Sequence, residues 1–101
     1  MSVLMTLRVA GDPILLEKWA AQEQPTMQKI VQRAKEHGLI SHQFYGNVGH
    51  ILVVDEWPDQ VSFQTFFDSS PEIGEMMASV GVTTDPEITF WRKLDTGDAV
   101  G

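Results

Sequence analysis

Residues 51–80 read ILVVDEWPDQVSFQTFFDSSPEIGEMMASV, and this run decides the fold. Ile51 to Trp57 has the apolar, β-branched and aromatic content of a strand. Asp59 is placed to cap a helix carrying Phe63, Phe66 and Phe67. Ser70-Pro71 then restarts a second helical segment bearing Ile73, Met76, Met77 and Val80, and Gly81 stops it. A strand that passes its last aromatic residue to an aromatic-rich helix forms the lip of a cavity. The run contains no obvious nucleophile or metal-ligand set.

Upstream, Val3, Met5, Leu7 and Val9 alternate with Ser2, Leu4, Thr6 and Arg8, the period of a strand with one apolar face. Gly11-Asp12-Pro13 opens a helix on which Leu16, Trp19, Ala20, Glu23, Met27, Ile30, Val31 and Ala34 share one stripe. Pro25 falls off that stripe, so the segment is either one kinked helix or two abutting ones, ending at His37-Gly38. Leu39 to Tyr45 and His50 to Trp57 predict an antiparallel hairpin about Gly46-Asn47-Val48-Gly49. Counting symmetrically about that turn sets Phe44 opposite Ile51, His42 opposite Val53 and Ile40 opposite Asp55, with Tyr45, Gln43 and Ser41 on the other face. Ile88, Phe90 and Leu94 predict a fourth strand.

The order β, α, β, β, α, β is the split βαβ pattern of a ferredoxin-like α+β fold, a four-stranded antiparallel sheet with helices on one face. Residues 1–95 are expected to form this single domain and residues 96–101 a polar tail. The uncovered face carries large residues whichever way the hairpin turns, since Phe44 and Ile51 oppose Tyr45 and Leu52, and Phe90 opposes Trp91. Its cheapest cover is a second copy, which predicts a homodimer.

The chain's 101 residues include 14 Asp and Glu against 7 dispersed Lys and Arg, a net charge of -7 that argues against a nucleic-acid partner. There is no cysteine, hence no disulfide, thiolate metal site or cysteine nucleophile. No apolar run reaches the roughly 20 residues of a membrane span, and Met1 to Val9 lacks the regions of a signal peptide. A cytoplasmic protein with no membrane partner is the expectation.

Asp55-Glu56-Trp57, an aromatic helix carrying Phe63, then Ser70-Pro71 and an apolar helix together resemble the dimeric α+β barrel superfamily, and within it the antibiotic-biosynthesis-monooxygenase-like (ABM-like) branch. The resemblance implies small cytosolic dimers. Some are cofactor-free oxygenases of polycyclic aromatic substrates, some degrade haem, and many have no assigned activity. The haem-degrading branch places a Trp and a ligating His in slots that fall near Phe66 or Phe67 and near Met76 or Met77. Both residues differ here. Methionine sulfur does ligate haem iron, but methionine at apolar helical spacing is ordinarily core, so haem turnover is not expected.

Cofactor-free oxygenation asks for a water-excluding pocket, aromatic walls and a base that promotes a phenolate or carbanion able to react with dioxygen. His42 is the first candidate base, because an imidazole ordinarily titrates near neutrality and the hairpin puts it on the face of Asp55. The competing reading is a hydrogen-bonded packing histidine on a strand edge. For Asp55 and Glu56 the competing reading is an ion pair with Arg8 or Arg92, or solvation at a strand end. Tyr45, Trp57, Phe66, Phe67, Met77 and Trp91 are candidate ligand-binding walls, and Trp57 and Trp91 serve equally well as core or dimer contacts. His37 and His50 sit at a helix end and a turn. The three histidines lack metal-ligand spacing, and the glycines form no phosphate or dinucleotide loop, so no metal or cofactor is called for. The rival to an enzyme is a non-catalytic dimer whose aromatics bind a ligand or only fill a core.

Overall fold

A computed structural model describes residues 1–101. Its elements are β1 (Val3–Ala10), α1 (Pro13–Gln22), α2 (Gln24–Glu36), β2 (Ser41–Asn47), β3 (His50–Trp57), α3 (Gln60–Asp68), α4 (Pro71–Ser79) and β4 (Glu87–Trp91). The strands form one antiparallel sheet in the order β2-β3-β1-β4, the ferredoxin-like arrangement. Met5, Leu7, Val9, Ile51 and Trp57 project from it into a core shared with Leu16, Ile30, Ala34, Phe63, Phe66, Ile73, Met76 and Val80 of the helices and the turn after α4.

The helical segment after β1 is two helices. The break falls at Glu23, and Pro25 sits in the first turn of α2, where its missing N–H costs no intrahelical bond. Asp12 and Asp59 cap as expected, accepting from the Ile14 amide at 2.9 Å and the Ser62 amide at 2.7 Å. The Ser62 amide and hydroxyl hold the Asp59 carboxyl below its ordinary range. Ser70 does not cap α4. Its buried hydroxyl donates backward to the Phe66 carbonyl at 2.8 Å, tying α3 to α4 across Pro71.

The hairpin is tighter than a symmetric four-residue turn. Asn47 pairs with His50 across Val48-Gly49, with Gly49 at φ 84°, a conformation that favours glycine. Every partner therefore moves two positions from the predicted register: Phe44 lies opposite Val53 and His42 opposite Asp55. A slip of two preserves the faces, because side chains alternate with period two. Gly46 enters β2, where a Cβ would stand 2.6 Å from Cβ of Pro13. Gly46→Ala is expected to destabilise the fold by roughly 1–3 kcal/mol through overpacking, read as a lower urea midpoint. An unchanged midpoint would mean that Pro13 yields freely.

The fourth strand ends at Trp91, and Leu94 lies beyond it, exposed. On the far side of the helices, α2 and α4 are bridged by Arg33 and Glu72 in a two-bond fork of 2.7 and 2.8 Å. Arg33 holds the Glu72 carboxyl down to about 2, while the pairing raises the Arg33 guanidinium. A lowered carboxyl stabilises the fold in full above its unfolded value near 4.5 and loses that contribution as pH falls toward about 2. Glu72→Gln should lower Tm at neutral pH and flatten the Tm profile across that acid window. Parallel profiles for the two proteins would show that the pair adds nothing.

Candidate functional site

The sheet face turned to the helices carries two polar side chains where its neighbours are apolar, His42 on β2 and Asp55 on β3. Direct cross-strand pairing brings them together, with His42 Nδ1 2.6 Å from Asp55 Oδ1. The second carboxylate oxygen, Oδ2, accepts from Trp57 Nε1 at 3.2 Å. Asp55 is 5% exposed, so both oxygens need donors, and they have them. A carboxylate only accepts; Nδ1 of His42 therefore carries a proton, and in the neutral imidazole the lone pair is at Nε2.

The donor that anchors Asp55 is itself immobilised. Trp57 is fully buried, its ring 5.6 Å from Phe63 and 5.4 Å from Phe66 by centroids. Aromatic packing from α3 thus fixes Trp57, Trp57 fixes Asp55, and Asp55 fixes the tautomer and orientation of His42. Phe44, two residues along β2, meets the imidazole edge-on at 4.8 Å. The His42 side chain keeps 27% of its surface exposed, because β2 is the outermost strand and the helices cover it incompletely. The arrangement is that of an imidazole held by a carboxylate and reachable from solvent.

Behind His42 and Asp55 lies an apolar cavity of about 80 Å³ between sheet and helices. Of the candidate walls, Phe66, Phe67 and Met77 line it, and so do Phe44, Val53, Phe63, Met5, Met27 and Met76, which were not among the candidate site residues. For Phe44 and Val53 the signal was present in the alternation that set them on the His42 face. Trp57 supports the site from beneath without lining the cavity. Tyr45 and Trp91 lie elsewhere: strand alternation turns them to the uncovered face, 58% and 53% exposed, and Trp91 Nε1 donates to Thr6 Oγ1 at 2.9 Å. They share no cavity with His42. Glu56 is also on that face and accepts from the Ser2 hydroxyl, while Arg8 approaches Glu87 at 3.9 Å, so neither Asp55 nor Glu56 pairs with an arginine.

A porphyrin does not fit this space. The cavity is smaller than the roughly 150 Å³ that takes a single benzene ring, and Met76 is buried at 8% among core side chains. No helix is long and apolar enough to cross a membrane.

No family model matches the chain, and no curated protein matches it. Solved structures do. The monooxygenase of Streptomyces coelicolor from the gene ActVA-Orf6, in complex with nanaomycin D, superposes with a TM-score of 0.66 at 13% identity, covering 94% of this chain and 89% of that one. SnoaB, a cofactor-independent oxygenase from Streptomyces nogalater, gives 0.62 at 13% identity over 97% and 98% of the two chains. A dimeric ferredoxin-like protein from an uncultured marine organism gives 0.63 at 14% identity over 98% and 93%. At such identities the likeness is one of fold, the ferredoxin-like α+β fold that the sheet order shows.

Proposed function

We propose that this protein is a cofactor-independent monooxygenase of apolar aromatic small molecules, with His42 as the base. The observation that carries the reading is the chain of contacts from Trp57 to Asp55 to His42, which presents a free Nε2 lone pair at the mouth of an apolar cavity. The fold neighbours described as a monooxygenase and as a cofactor-independent oxygenase support it. A substrate with an acidic ring CH₂ approaches from the open side of β2 and lies against Phe44 and His42. Nε2 takes a proton, Asp55 stabilises the imidazolium, and the carbanion bonds to dioxygen. The resulting peroxide anion regains the proton from Nε2, and loss of water leaves a ketone: one CH₂ and one O₂ become one C=O and one H₂O.

The test is oxygen uptake with dithranol, a tricyclic anthrone, in the presence of EDTA and without added flavin. One O₂ consumed per quinone formed, above the spontaneous rate, is expected. Saturable binding of the anthrone with no uptake above background would instead establish a non-catalytic ligand-binding module.

We also propose that two copies associate through the uncovered sheet face, where Leu4, Tyr45 and Trp91 are 41%, 58% and 53% exposed around half-buried Leu52 and Val54. The dimeric ferredoxin-like neighbour supports this assembly. Light scattering should give about twice the 11.3 kDa chain mass, and a mass at the monomer value contradicts it.

A further inference from the structure

We propose that the apolar cavity behind His42 is a dioxygen site. Its use in turnover rests on the oxygenase reading, whereas its affinity for an apolar gas does not.

Volume decides between occupants. At about 80 Å³ the cavity is roughly half the ~150 Å³ that accommodates benzene or xenon in an engineered apolar site. It excludes an aromatic ring but holds a diatomic gas or a single xenon atom. Chemistry then decides between water and gas. Of the 22 lining residues 20 are hydrophobic, and the exceptions are His42 and Asp55. Both Asp55 oxygens are already engaged, one by His42 Nδ1 and the other by Trp57. A water molecule needs two to four polar partners, and these walls turn almost no polar surface toward the cavity. Dioxygen asks for none.

The walls suit it in a second way. Met5, Met27, Met76 and Met77, every methionine of the chain except Met1, line this one cavity. Thioether sulfur is polarisable, and the attraction available to an apolar diatomic in a dry site is dispersion. The position also serves the reaction. Because His42 lines the cavity and also keeps part of its surface exposed to solvent, the organic substrate and the gas reach the same imidazole by separate routes. The carbanion formed at Nε2 meets dioxygen at short range, the new C–O bond forms at the carbon that lost the proton, and the peroxide oxygen takes that proton back.

Two measurements on the intact protein test the proposal, and neither requires turnover. In crystals pressurised with xenon, one xenon atom is expected in contact with Val31, Val53 and Phe67. In solution under raised oxygen pressure, paramagnetic relaxation of the Met27, Val31 and Val53 methyls should exceed that of the fully exposed Val48 methyls at least twofold. An empty cavity under xenon, or relaxation that simply tracks exposure, overturns the proposal. Filling variants, Val31→Phe and Ala34→Leu, should lose the xenon site. Where dithranol is oxidised, they should raise KM for O₂ about tenfold and leave KM for dithranol unchanged, and an unchanged KM for O₂ counts against the site. Should either variant fail to fold, xenon added to the wild type must raise the apparent KM for O₂ alone. A gas site in a protein that oxidises no anthrone upholds this inference and removes the oxygenase reading.

Discussion

His42→Ala is expected to lower kcat/KM for anthrone oxidation by about 10²- to 10⁴-fold, the usual worth of a positioned general base. The variant also takes a donor from Asp55, whose carboxylate is 5% exposed, so a loss of about 1–3 kcal/mol in stability accompanies it. His42→Gln separates the two effects. Its amide N–H can still reach Asp55, while the side chain has no basic nitrogen, so stability should return and activity should not. Asp55→Asn extends the test by offering an N–H where a carboxylate was, which favours the tautomer with the lone pair at Nδ1 and blocks the base. Circular dichroism should show an intact fold for His42→Gln and Asp55→Asn. Wild-type turnover by His42→Gln would remove His42 from the mechanism.

Trp57→Ala carries the largest expected cost in stability. The side chain is fully buried between Phe63 and Phe66, and truncating an aromatic in such a place removes about 3–5 kcal/mol. A domain of this size holds only about 5–15 kcal/mol in total. At roughly 4 °C or more per kcal/mol, Tm should fall by about 12 °C or more. Trp57→Phe keeps most of the packing and deletes only the N–H to Asp55, so its Tm should fall far less while the oxidation rate drops with the loosened carboxylate. A Tm within about 3 °C of wild type for Trp57→Ala would refute the keystone role given to this ring.

The fold was legible because its signals are local. Alternation in Val3 to Val9, caps at Asp12 and Asp59, the stop at Gly81 and the aromatic run after Trp57 each speak for one element, and together they leave few topologies. The candidate pair was legible in its shared face but not in its contact. His42 and Asp55 stood out as polar residues on an apolar face, yet the turn length that pairs them depends on Gly49 adopting a positive φ and on Gly46 fitting against Pro13, a contact with a distant element. Tyr45 and Trp91 entered the candidate list because both sheet faces bear large residues, and composition does not say which face holds the helices. The cavity's volume was illegible altogether, since it is what remains after side chains from seven elements and the loops between them have packed.

His42 sits on β2, which is hydrogen-bonded to β3 along one side and to nothing along the other. Such a strand belongs to the low-energy end of a protein's spectrum of openings. Amide protons from Ser41 to Asn47 should exchange with deuterium well before those of β1 and β3, and peeling this margin breaks the contact with Asp55 while the central pair stays zipped. The imidazole is thus mounted on a margin of the sheet that opens readily, and the exchange rate of one strand sets how often it is released.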